Sequence, residues 1–202
     1  MTMARSDIPS RRLNWPNILT YARIAAVPAI VLLMEWPNDP AFRWAALILF
    51  FLAAVTDYFD GYLARAWSQQ TTMGRMLDPI ADKLLVAACL LMVVADGTLR
   101  GWWVWAAVII LCREILVSGL REFLVELRVS VPVSRIAKWK TTMQLIAIGF
   151  LIAAPVGDVI IPHTMTIGLW LLVAAAVLTL YTGFDYFKAG VTHLLEEDDK
   201  RA

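Results

Sequence analysis

Long apolar runs alternate along the chain with short polar breaks. A helix needs roughly 20 apolar residues to cross about 30 Å of hydrocarbon. Six stretches qualify, at approximately 17–35, 42–65, 78–96, 102–121, 137–155 and 164–188. The runs are continuous rather than alternating, and each is about twice as long as a membrane barrel strand, so the pattern predicts helices. Turn-forming punctuation separates them: EWPNDP after the first run, DGTLRG after the third and APVGDVIIPH after the fifth. SDIPSRRLNWPN, ahead of the first run, reads as a short amphipathic helix along a membrane surface, and the tail EEDDKRA as a solvated end. A removable signal peptide is the competing reading of the first run, since Arg11 and Arg12 precede it. Arg23 interrupts that run, however, and no small-residue cleavage site precedes a soluble body.

Composition agrees with a bilayer setting. Of the 202 residues 60% are hydrophobic and 17% charged, where soluble domains run about 45–50% and about 25%. A net charge of only +1 excludes the electrostatic footprint of a nucleic-acid partner. Cys89 and Cys112 both lie inside apolar runs and suggest no disulfide framework. Trp15, Trp36, Trp44, Trp102 and Trp103 sit at run ends, as interfacial belts require. No repeat, low-complexity segment or linker divides the chain, so residues 1–202 read as a single membrane domain.

Charge sets the expected orientation. Arg43 and Arg100 are the only Lys or Arg at or beside the breaks after odd-numbered runs. The other 16 of the 18 basic residues lie in the amino terminus, the other breaks, the tail or the adjoining run ends. The positive-inside rule then places both termini in the cytoplasm. The expected fold is an all-α integral membrane protein of six transmembrane helices with both termini cytoplasmic.

Acids inside such runs change the picture. An ionised carboxylate in hydrocarbon costs several kcal/mol, so an intramembrane acid is a functional hypothesis by default. Asp57 and Asp60 close the second run, and Asp78 and Asp82 open the third. Asp57 is about 12 Å from Arg65 along a helix and Asp82 about 6 Å from Asp78, so all four acids belong to the inner third of the bilayer. Polar residues of the other runs fall at a comparable depth: Asn17, Thr20 and Arg23; Arg113, Glu114 and Arg121; Lys138, Lys140, Thr141 and Gln144; Thr182, Asp185 and Lys188. The outer halves are almost wholly apolar. This pattern describes a polar chamber open to one leaflet, not a channel.

Spacing adds to this. Asp57, Asp60, Gly61, Ala64 and Arg65 share one helical face, and Gly74, Asp78 and Asp82 share another. Opposed, the two faces bring four carboxylates together, with Gly61, Ala64 and Gly74 leaving room beside them. Carboxylates that close repel unless divalent cations compensate them. Oxygen-only ligands suit Mg²⁺ or Mn²⁺, and two such ions form a clamp for displacement at phosphorus.

The stretch D57-x2-D60-G61-x2-A64-R65-x8-G74-x3-D78-x3-D82 resembles the signature of the CDP-alcohol phosphotransferases, with every defining position filled. The flanks NWPNILTYARI, LDPIADKLLV, REILVSGLREFL and KWKTTMQ resemble the branch whose acceptor is sn-glycerol 3-phosphate, and the likeness covers most of residues 14–185. Ala137 stands where that branch leads one to expect glycine.

The resemblance implies a six-helix enzyme of phospholipid biosynthesis that is usually a homodimer. Such an enzyme displaces CMP from CDP-diacylglycerol by the acceptor's hydroxyl, in the cell's inner membrane with its site facing the cytoplasm. It further implies that Asp57, Asp60, Asp78 and Asp82 hold two Mg²⁺ or Mn²⁺ ions, with Asp82 a metal neighbour or the general base. Gly61, Ala64, Arg65 and Gly74 would frame the cytidine diphosphate, with Asn17, Thr20 and Arg23 as further nucleotide contacts. Arg113, Arg121, Lys138 and Lys140 are the candidates for the acceptor's phosphate, because Arg matches it by a fork and Lys by a point charge. Positive-inside alone would also put cations at 121, 138 and 140. The rival acceptors are serine, inositol phosphate and phosphatidylglycerol, and the basic cluster disfavours serine. A cation or proton transporter is the rival of another class, but it would need polar groups near mid-membrane and a route to the outer side.

Overall fold

A computed structural model describes residues 15–36, 39–66, 72–126 and 135–201. Six α-helices follow one another: α1 (Trp15–Met34), α2 (Pro40–Ala66), α3 (Thr72–Ala95), α4 (Val104–Glu126), α5 (Arg135–Gly157) and α6 (Thr164–Arg201). One 3₁₀ turn, Gly101–Trp103, leads into α4. The described residues contain no strand.

The helices run alternately up and down. The end where α1 begins and α6 finishes is called basal here, and the opposite end distal. The closest packing is α5 on α6 and α1 on α2 and α3; α4 rests mainly on α6, and α2 on α5. Ile30, Phe50, Leu90, Ile110, Ile148 and Leu151 fill the centre, all fully buried. Large apolar side chains such as Leu52, Leu91, Ile115, Trp170 and Val177 point outward instead. An exposed apolar surface of that extent is what hydrocarbon solvates and water does not.

Three stretches are long and apolar enough to cross a membrane: Gly101–Val125, Trp139–Gly157 and Thr164–Lys188. Ile18–Met34 and Pro40–Thr56 are apolar but shorter. The six expected runs thus return as six helices, three of which meet the length and hydropathy of a span among the described residues. On α3, Asp78, Asp82 and Lys83 interrupt the apolar stretch at its basal end.

Boundaries shifted where polar residues stay helical. α3 begins at Thr72, before the apolar run expected from residue 78, and α6 continues through the tail to Arg201. The expected surface helix falls mainly before Trp15, outside the described residues.

The distal end is closed by specific contacts. Arg43 of α2 donates to Asp96, just past α3, and reaches the Thr98 hydroxyl at 3.5 Å. Asp96 Oδ1 also accepts from the Thr98 backbone N–H at 2.8 Å. Gly97, at φ +77°, lets the chain leave α3 in the left-handed region that side chains resist. Trp103 meets Trp170 edge to face at 5.5 Å, joining the starts of α4 and α6.

Candidate functional site

On α1, α5 and α6 the buried face turns polar toward the basal end. On α1 the buried positions Ala26 and Ile30 give way to Arg23 and Thr20; on α5, Ile148 and Ala147 give way to Gln144 and Lys140. On α6, Ala175 and Ala176 give way to Thr179 and Thr182. Buried polar groups need partners, and here most of the partners lie on other helices.

α1 meets the acids of α3. Thr20 donates to Asp78 Oδ1 at 2.6 Å, and Arg23 Nη1 donates to Asp82 Oδ1 at 2.9 Å. Arg23 is fully enclosed, whereas 46% of the Asp82 side chain remains exposed. The arginine fixes a carboxylate that stays accessible. Thr20 and Arg23, expected as nucleotide contacts, therefore also orient two of the four acids. Pro79 lies between those acids and cannot donate to the Arg75 carbonyl, which loosens the helix at that turn.

The cations gather on the other side, around a residue not assigned a role from sequence. Glu114 Oε1 accepts from Lys140 of α5 and, at 3.4 Å, from Arg113 Nη1. Arg113 is held further by α6: Nε donates to the Thr179 carbonyl at 3.0 Å and Nη2 to the Thr182 hydroxyl at 3.1 Å. A Cβ on Gly183 would come within 3.2 Å of Arg113 Cγ, so the glycine makes room for the arginine. Lys140 has a side chain only 5% exposed. A buried ammonium is costly without a counter-charge, and Glu114 supplies one.

Arg121 lies two turns beyond Arg113 on α4, at the edge of this group. It is exposed on the last turns of α4, donates to the Tyr186 hydroxyl at 3.1 Å and lies 5.7 Å from that ring's centroid. Lys83, next to Asp82, donates to Ser118 of α4 and so ties the acid-bearing helix to the cation-bearing one. Gly74 is buried in the first turns of α3. The side chains of Asn17, Asp57, Asp60, Gly61, Ala64, Arg65 and Lys138 lie outside the described residues; their backbones belong to α1, α2 and α5.

Asp78 and Asp82 have donor chemistry that suits a hard divalent ion: both are carboxylates, one turn apart, held by α1 and accessible at Asp82. The residues present fit such an ion. Among the described residues no three potential ligands cluster, the other two acids being Asp57 and Asp60.

Acids of α3 and paired cations of α4 and α5, gathered toward one end of the bundle, suit a charged, phosphorylated substrate pair. Comparison with known proteins agrees. The family model for CDP-alcohol phosphatidyltransferase matches residues 13–181. The chain belongs to that family.

Several relatives bear the name CDP-diacylglycerol–glycerol-3-phosphate 3-phosphatidyltransferase. One from Rickettsia bellii (strain RML369-C) is 47% identical over 176 residues, covering 87% of this chain and 94% of the relative. One from Shigella flexneri is 41% identical over 189 residues, covering 92% of this chain and all of the relative. One from Cereibacter sphaeroides is 38% identical over 220 residues, again 92% of this chain and all of the relative. A chain of this family with these outward apolar faces is a membrane protein.

Proposed function

We propose that this transferase moves the phosphatidyl group of CDP-diacylglycerol to sn-glycerol 3-phosphate, giving phosphatidylglycerophosphate and CMP. The observation that carries the reading is the pairing of Lys140 and Arg113 across Glu114, at the same end of the bundle as the α3 acids. Buried cations on the acceptor side favour an acceptor that brings a phosphate. The names of relatives at 38–47% identity point the same way.

The reaction divides between the two walls. The acceptor's phosphate binds to Lys140 and Arg113, with Arg121 and Lys138 as further cations for it. Its C1 hydroxyl then lies toward Asp82, which accepts the proton as the hydroxyl oxygen bonds to the phosphatidyl phosphorus. The bond from that phosphorus to the CMP oxygen breaks, and CMP leaves. Arg23 keeps the Asp82 carboxylate aimed throughout. Two Mg²⁺ or Mn²⁺ ions, held by Asp57, Asp60, Asp78 and Asp82, would neutralise the diphosphate and the charge on departing CMP. Gly61, Ala64, Arg65 and Gly74, with Asn17, frame the nucleotide.

The basal end faces the cytoplasm, where glycerol phosphate and CMP are solutes, and the lipid enters sideways from the inner leaflet of the cell membrane. All six helices span the bilayer. The chain acts as a homodimer, a reading supported by family resemblance alone. Transport is disfavoured, because Ile30, Leu90, Ile110, Ile148 and Leu151 fill the centre and no polar route crosses it among the described residues.

Purified protein given CDP-diacylglycerol, Mg²⁺ and a panel of acceptors tests the reading. Glycerol 3-phosphate is expected to drive CMP release far better than serine, inositol phosphate or glycerol. If inositol phosphate or serine outperforms it, the acceptor is misassigned.

A further inference from the structure

Two buried oxygens where the buried faces of α5 and α6 pass from polar to apolar have no hydrogen-bond partner among the described residues: Gln144 Oε1 and Thr179 Oγ1. Each is the last polar side chain on its helix's buried face before the apolar core begins, at Ala147 and Ile148 on α5 and at Ala175 and Ala176 on α6. An acceptor left unpaired in a packed interior is destabilising, and nearly all such groups in folded proteins are satisfied. An apolar side chain of similar length would serve α5 packing better.

Gln144 is set within the cation cluster. It lies one helical turn, about 6 Å, deeper than Lys140 on the same buried face, and is itself 3% exposed. Thr179 belongs to that cluster too, since its carbonyl accepts from Arg113 Nε. A group that satisfies Gln144 must therefore reach past the Lys140–Glu114–Arg113 layer while its charged end stays on it. A short polyol phosphate has that form: an anion at one end and a hydroxyl donor two carbons away.

We propose that Gln144 is a specificity-determining residue, its Oε1 accepting a hydrogen bond from the C2 hydroxyl of the glycerol phosphate acceptor. The inference rests on the acceptor reading above and deepens it. Lys140 and Arg113 select for the phosphate, and Gln144 selects for the hydroxylated carbon next to the reacting one. A hydroxyl both donates and accepts, so the same C2 oxygen can also accept a hydrogen bond from the Thr179 hydroxyl. A bound polyol phosphate supplies the partner that Gln144 Oε1 lacks among the described residues.

The test uses the full-length enzyme and two acceptors, sn-glycerol 3-phosphate and 3-hydroxypropyl phosphate, which lacks only the C2 hydroxyl. Wild type is expected to prefer glycerol phosphate by about ten-fold or more in kcat/KM. Gln144→Leu is expected to lose that factor on glycerol phosphate and to stay within two-fold of wild type on hydroxypropyl phosphate, so the preference collapses. Gln144→Met should behave likewise, and neither variant should unfold at lower temperature, because an unpaired amide has been replaced by an apolar group. Equal losses on both acceptors, a preference that survives in both variants, or a wild type that does not discriminate would each overturn the proposal. CMP release driven only by a non-phosphorylated acceptor would overturn the acceptor reading and this proposal with it. A surviving preference overturns this proposal alone.

Discussion

Two arginine–aspartate pairs sit near opposite ends of the bundle, and they differ in what they leave open. At the distal end Arg43 and Asp96 are both sealed, with side chains 0% and 3% exposed, and Thr98 completes the carboxylate's bonding. At the basal end Arg23 is as deeply buried as Arg43, but the side chain of its partner Asp82 is 46% exposed. The closed pair can only hold helices together. The open pair holds a carboxylate in one orientation and leaves it accessible. Accessibility of the acid, rather than the ion pair itself, separates structure from chemistry here.

The contrast is broken most decisively if the ends face the wrong way. With Cys89 and Cys112 replaced, cysteines at the exposed distal positions Trp102 and Val159 should react with an impermeant thiol reagent added outside intact cells. Cysteines at Ser68 and Ser130 should not react. The inverse pattern would put Asp82 on the side away from its soluble substrates. Next in size is the chemistry of the open pair. Asp82→Asn keeps the shape and removes the charge, and should cut CMP release by about a thousand-fold if Asp82 is the base, with helical content unchanged. Asp57→Asn, Asp60→Asn and Asp78→Asn should also abolish turnover; near-normal activity in any one removes that acid from the site.

The closed pair should answer oppositely. Arg43→Met leaves a buried carboxylate without its partner, a loss on the order of 3–5 kcal/mol of stability, seen as a lower thermal midpoint in detergent. The Michaelis constants of the folded fraction should stay within two-fold of wild type. Adding Asp96→Asn should restore much of the midpoint, since the amide oxygen can still accept from Thr98. A catalytic defect without lost stability would mean that the two ends are not distinct. The smallest effect belongs to the exposed Arg121. Tyr186→Phe removes one hydrogen bond and should cost only about 0.5–1 kcal/mol, so the Michaelis constant for glycerol phosphate should move less than five-fold.

What the sequence showed and what it hid follow from range. Helix existence is a local property, written in continuous apolar runs, and all six were visible. That Thr20, Arg23, Asp78, Asp82, Arg113 and Lys140 gather toward one end of the bundle followed from their distance to the run ends. Partnerships between helices did not follow, because nothing local to REILVSGLREFL says that Glu114 will accept from Lys140 on α5. Gly183 was also missed as the space beside Arg113, although Thr182-Gly183 in an otherwise bulky segment was a signal for close approach. The start of α3 was misplaced because hydropathy marks where a helix becomes apolar, not where it begins.

The central claim is that one chamber has two walls, with acids for the CDP-lipid and cations for the acceptor's phosphate. Steady-state kinetics of Lys140→Met, with each substrate varied in turn, tests it most directly. Loss of one charge-assisted hydrogen bond of about 1.5–3 kcal/mol should raise the Michaelis constant for glycerol 3-phosphate roughly ten- to a hundred-fold. That for CDP-diacylglycerol should stay within two-fold of wild type. A rise confined to CDP-diacylglycerol would place Lys140 on the nucleotide's side and contradict the two-wall account.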